Sequence, residues 1–115
     1  MGDLSAHFSR SEFVCPHCGA GGPTPQLVAL LERLREIKGG RPLRIVSGFR
    51  CVPHNGQVGG AADSRHVHAD AADIPEGYAT IDEAARAGAV GVGNHGPWAV
   101  HVDWRPGGPA RWTYP

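Results

Sequence analysis

Read for apolar spacing, the chain resolves into one long helical stretch and a series of short extended ones. Leu27, Leu30, Leu31, Leu34 and Ile37 recur at three- and four-residue intervals, which puts them on one face of a helix. Thr24-Pro25 ahead of them is a cap followed by proline at the first helical position, and Gly39-Gly40 behind them ends the helix. Upstream, Phe8 and Phe13 are the expected core anchors of an entry segment from His7 to Glu12. Downstream, Leu43-Arg44-Ile45-Val46 has the make-up of a short strand, as does Ala71 to Ile74 ahead of Pro75. Thr80-Ile81-Asp82-Glu83 is a capping box that predicts a brief helix to about Ala87, and Val90-Gly91-Val92 predicts a third strand. From Trp98 to Trp104 the pattern alternates. It predicts Trp98, Val100, Val102 and Trp104 facing a core and Ala99, His101 and Asp103 facing away.

Composition narrows the classes. A chain of 115 residues suits a single domain spanning 1–115, and 17 glycines with 10 prolines predict long loops between its elements. Eleven basic and eleven acidic residues cancel, so no general pull toward nucleic acid or an anionic membrane is expected. No apolar run reaches the length of a membrane span. Met1-Gly2-Asp3-Leu4-Ser5 lacks the basic flank and apolar run of an export signal, so the expectation is synthesis in the cytoplasm and release by other means.

The chemistry concentrates in Ser64-Arg-His-Val-His-Ala-Asp-Ala-Ala-Asp73 and in His101-Val102-Asp103. His66, a carboxylate seven residues on at Asp73, and His101 supply three donors of the kind that hold Zn²⁺ with one position left for water. Alternation places the Cβ atoms of His101 and Asp103 about 6.5 to 7 Å apart on one strand face. The spacing to Asp73 selects His66 over His68. The competing reading makes the histidines surface loop residues and the aspartates turn caps. Two imidazole and carboxylate clusters sharing one alternation pattern argue against it.

Three cysteines pose a separate question, since they cannot all pair within one chain. Cys15-x-x-Cys18 and Cys51-x-x-His54 form two knuckle-like pairs, which fit a second, structural zinc. One disulfide from Cys51 to Cys15 or Cys18, with a thiol left over, fits as well. A nucleic-acid zinc ribbon is disfavoured by the neutral charge.

Phe8-Ser9-x-x-Glu12-Phe13, Ser47-Gly48-Phe49-Arg50, Asn55, Gly59-Gly60, Ser64-x-His66-x-x-Ala69-x-Ala71-x-Asp73 and His101-x-Asp103 together resemble the zinc D-alanyl-D-alanine carboxypeptidase and L-alanyl-D-glutamate endopeptidase family of peptidoglycan hydrolases. The resemblance implies an α+β fold, with a small antiparallel sheet packed against one longer and one short helix. It implies Zn²⁺ held by His66, Asp73 and His101, with Arg50 facing the substrate and Ser64 in the site wall. The alternative for Arg50 is a structural salt bridge to an acid such as Asp63 or Asp73. Two positions depart from the family pattern: Ala69 replaces a glycine, and Trp98 stands where many relatives carry the acid that serves as general base. Asp103 then has two readings, as that base or as the acceptor that fixes a ligand imidazole. His95, in a Gly-rich loop, is the other candidate base.

Two functions follow. One is a zinc peptidase cutting stem-peptide amide bonds, as carboxypeptidase or endopeptidase, of the small phage endolysin type. The other is a catalytically silent zinc domain that binds wall peptide or a protein partner. Oligomeric state is not legible.

Overall fold

A computed structural model describes residues 4–15, 22–48, 65 and 70–114. Its longest element is the helix that the apolar spacing predicts, α1 (Pro25–Ile37). The Thr24 hydroxyl accepts from the Leu27 N–H, and Pro25 sits in the first turn, where no intrahelical partner is lost. Leu27, Leu30, Leu31 and Leu34 are all but fully buried. Gly39 and Gly40 then take φ of 69° and 84°, and the Gly40 N–H closes on the Arg35 carbonyl at 2.8 Å. That left-handed turn is open to glycine at little cost, and it stops the helix.

Five strands follow: β1 (Ala71–Asp73), β2 (Ala79–Thr80), β3 (Gly91–His95), β4 (Trp98–Asp103) and β5 (Ala110–Thr113). They form one sheet in the order β1-β4-β3-β5, with β2 also paired to β4. β1, β2 and β3 each run antiparallel to β4, whereas β5 runs parallel to β3. The fold is α+β as expected, and its sheet is mixed through that one parallel pair. The Pro106-Gly107-Gly108-Pro109 turn after β4 thus leads into a strand, β5.

A second helix, α2 (Ile81–Arg86), starts on the predicted capping box. The Glu83 N–H donates to the Thr80 hydroxyl at 3.2 Å, and the Thr80 N–H donates to Glu83 Oε1 at 2.9 Å. Glu83 also receives Lys38 Nζ at 2.9 and 3.0 Å, which ties the start of α2 to the end of α1. Both helices share one apolar cluster with the inner sheet face, where Leu30, Leu31, Leu34 and Ala84 meet Ala72, Val92, Ala99 and Val102. Phe8 and Phe13, 0% exposed, complete that cluster, and Gly48 lies so close to the Phe13 backbone that a Cβ there would meet its Cα at 2.7 Å. No helix among the described residues is long and apolar enough to cross a membrane.

Two local expectations change. Leu43-Arg44-Ile45-Val46 is not a regular strand. The segment lies along the edge of β1, with Val46 N–H to Asp73 carbonyl at 2.9 Å and Asp73 N–H to Ser47 carbonyl at 2.8 Å. β1 is so short that only the end of the segment finds a ladder partner, while Leu43 and Ile45 still turn into the core. In β4 the pairing passes from Gly93↔His101 to Asn94↔Ala99, so Val100 is an inserted, bulged residue. The bulge shifts the phase of the strand: Ala99 and Val102 enter the core, Val100 lies outside it, and Trp104 is exposed. His101 and Asp103 lie beyond the bulge on its C-terminal side, so they keep a common face.

Candidate metal centre

The site is built on the sheet face opposite the core. In the β1–β4 ladder Asp73 pairs with His101, Ala72 with Val102 and Ala71 with Asp103. Ala72 and Val102 point into the apolar cluster, so Asp73, His101 and Asp103 project from the other side. Asp73 is partly exposed, with 26% of its side chain accessible, while His101 has 6% and Asp103 none. Asp73 therefore sits at the rim of the site, with His101 and Asp103 buried beneath it.

Hydrogen bonding decides which nitrogen of His101 faces out. Nε2 lies 2.7 Å from Asp103 Oδ2 and Nδ1 lies 3.3 Å from Asp73 Oδ1. Arg105 grips Asp103 through Nε at 2.9 Å to Oδ1 and Nη2 at 2.7 Å to Oδ2. Burial alone would push the Asp103 carboxyl up, but the bonds from Arg105 and His101 overcome it and bring it from 3.8 to about 2. An ionised carboxylate can only accept, so Nε2 carries the proton. In the neutral ring Nδ1 then presents a lone pair toward a second carboxylate oxygen. Burial opposes charging this imidazole, yet the two carboxylates outweigh it and raise the His101 pKa.

That spacing fits a metal. Two donors at about 2.0–2.1 Å from a tetrahedral zinc stand about 3.3–3.4 Å apart, longer than the 2.7–2.9 Å of a good charge-assisted hydrogen bond. Asp73 and His101, at 3.3 Å, match the ligand spacing. An imidazole backed by a buried carboxylate is also the usual support of a zinc ligand.

Glycine and tryptophan shape the rest of the face. A Cβ at Gly91 would overlap the Asp103 carboxylate, and one at Gly93 would stand 2.6 Å from Trp112 Nε1 and 2.7 Å from Tyr114 Cε2. Trp112 on β5 pairs with Gly93, its ring centroid 4.9 Å from that of His101, and the Arg105 guanidinium lies 5.2 Å from its centre. On the other flank Arg65 and Asp70 form a two-pronged ion pair, Nε to Oδ1 at 3.1 Å and Nη2 to Oδ2 at 2.5 Å. Asp70 of that pair immediately precedes β1. Alternation along β3 puts His95 on the site face, and its Nδ1 bonds the Glu76 carboxylate.

Of the residues singled out from sequence, the structure brings Asp73, His101 and Asp103 together and sets His95 on the same sheet face. His66, Arg50 and Ser64 lie outside the described residues, as do Cys18, Cys51 and His54 of the proposed cysteine site. Cys15 is buried. Among the described residues no three His, Cys, Asp or Glu side chains gather as a metal would need. Arg105, Glu76 and the Arg65–Asp70 pair were not among the residues singled out from sequence. Gly91 and Gly93, alternating on one strand face, were the available signal, because such glycines mark close approach of another group.

The protein is similar over most of its length to known peptidases. The Peptidase M15 family model matches residues 6–103, from the entry segment to the end of β4. A zinc D-Ala-D-Ala carboxypeptidase of Streptomyces albus G is 38% identical over 69 residues, which cover 57% of this chain and 24% of that relative. The chain thus spans under a quarter of the curated relative that it matches. A family match that takes in α1, α2 and the strands bearing Asp73 and His101 leaves one conclusion about descent: this chain belongs to the Peptidase M15 family.

Proposed function

We propose that the protein is a zinc-dependent peptidase of peptidoglycan, hydrolysing a stem-peptide amide bond as a D-Ala-D-Ala carboxypeptidase or as an L-Ala-D-Glu or cross-link endopeptidase. The observation that carries this reading is the facing pair of lone-pair atoms, His101 Nδ1 and Asp73 Oδ1 at 3.3 Å, on the sheet face away from the core. The carboxypeptidase name of the relative agrees with it.

In this reading His66 joins Asp73 and His101 as the third ligand. Zinc, when bound, supplies Lewis acidity that polarises a carbonyl and acidifies a water. The chain's own residues do the rest. Asp103 holds the His101 ring by accepting its Nε2–H, and Arg105 keeps that carboxylate ionised. Fully buried, and with a pKa near 2, Asp103 is poorly suited to take a proton from water, so of its two readings the orienting one is preferred. His95 is the better proton carrier. It is exposed, and Glu76 on Nδ1 orients the ring, which leaves Nε2 to accept a proton from the attacking water and return it to the leaving amine. Arg50 grips a substrate carboxylate with its planar guanidinium, and Ser64 lines the wall beside it. A second, structural zinc at Cys15, Cys18, Cys51 and His54 is proposed beside the disulfide alternative, and metal content of two per chain rather than one would decide for it.

A second reading rests on Trp98. It pairs with His95 in the β3–β4 ladder, so an indole stands where many relatives place an acid. A silent zinc domain that binds wall peptide would keep the metal and lose the base. Digestion of purified muropeptides separates the two: hydrolysis abolished by a chelator and restored by zinc supports the peptidase. Zinc bound without any new amine terminus supports the silent domain, and no zinc bound removes both.

A further inference from the structure

We infer that β5 supplies a positioning residue for the metal: Trp112 packs the His101 ring and the Arg105 guanidinium around Asp103 and thereby holds the His101 Nδ1 lone pair on the metal position. The inference rests on the zinc reading above.

Three observations carry it. The family match ends at Asp103, so Arg105, Trp112 and the whole of β5 are features of this chain beyond the matched part. β5 docks parallel to β3 and brings Trp112 opposite Gly93, the residue that itself pairs with His101. The indole rests there because Gly93 has no side chain; a Cβ would stand 2.6 Å from Nε1. From that seat the ring is 4.9 Å from His101 and 5.2 Å from the Arg105 guanidinium, the two groups that hydrogen-bond Asp103. Asp103 beneath them is 0% exposed. A carboxylate kept from water makes stronger bonds to its donors, and a ring packed on one side cannot swing, so both effects fix the imidazole.

The test uses the full chain with Trp112→Ala, Trp112→Phe and, as a control on the same strand, Thr113→Ala. Zinc affinity is read by competition against a chromophoric chelator. Ligand geometry is read from the visible spectrum of the Co²⁺-loaded protein. Thermal melts in excess chelator report folding separately. Trp112→Ala should lose zinc affinity about tenfold or more and change the cobalt bands, Trp112→Phe should recover most of both, and Thr113→Ala should match wild type. A folded Trp112→Ala with wild-type affinity and cobalt spectrum overturns the inference. If Trp112→Ala does not fold, Trp112→Leu is read in its place by the same criteria. Wild-type protein that takes up neither metal overturns the zinc reading itself, whereas equal binding by wild type and variants removes only the role of Trp112.

Discussion

At His101 the tautomer is chosen by the residue two positions on. Asp103 has nothing to donate, so the proton stays on Nε2 and Nδ1 is left facing Asp73 Oδ1 at 3.3 Å. Asp103→Asn should therefore weaken zinc binding about 10- to 100-fold, because an amide can turn its NH₂ toward the ring and favour the wrong tautomer. Chelator competition measures this, and an affinity equal to wild type would show that the ring is oriented by something else. The pairing of Asp73 with His101 was legible, since apolar neighbours and period-two alternation placed both on strand faces. The part played by Arg105 was not. Its grip on Asp103 depends on where the chain turns after β4, and no local pattern encodes that turn.

Among the elements, α2 and β3 carry the sharpest expectations. Glu83 closes the capping box of α2 and receives Lys38 from the end of α1, so Glu83→Ala should cost about 1–2 kcal/mol in chemical denaturation. The Thr80 N–H first, and Lys38 second, hold its pKa below the ordinary 4.5. The folded state therefore binds fewer protons than the unfolded chain in that range. This contribution is complete above about pH 4.5 and fades as pH falls through the lowered native value, so the stability of Glu83→Ala should decline less than that of wild type in acid. On β3, a methyl at Gly91 has nowhere to go but into the Asp103 carboxylate. Gly91→Ala should destabilise the protein by about 1–3 kcal/mol and weaken zinc binding with it, and wild-type values for both would mean that Asp103 moves aside freely. Capping boxes and helical stripes can be read directly because their partners lie within four residues. The bulge at Val100 cannot, because it records how β4 meets three other strands, β1, β2 and β3, at once.

For the molecule as a whole, the metal and the fold should be linked. Asp73 and His101 come from strands joined only by the sheet, so a ligand that bridges them favours the folded state over the unfolded one. Zinc at a hundredfold excess over its Kd should add about 2.7 kcal/mol and raise the melting temperature by several degrees, reversed by chelator. A melting temperature indifferent to zinc would count against any shared site. By itself the sequence determined α1, the start of α2 and the spacing of the donors, because helical periods, caps and strand alternation are properties of neighbouring residues, while the α+β class came from the family resemblance its motifs carry. The tertiary structure alone decided that β5 lies parallel to β3, that Trp112 rests on Gly93 beside His101, and that Val100 bulges out of phase. Each of these depends on surfaces brought together from distant parts of the chain, and only packing selects among them.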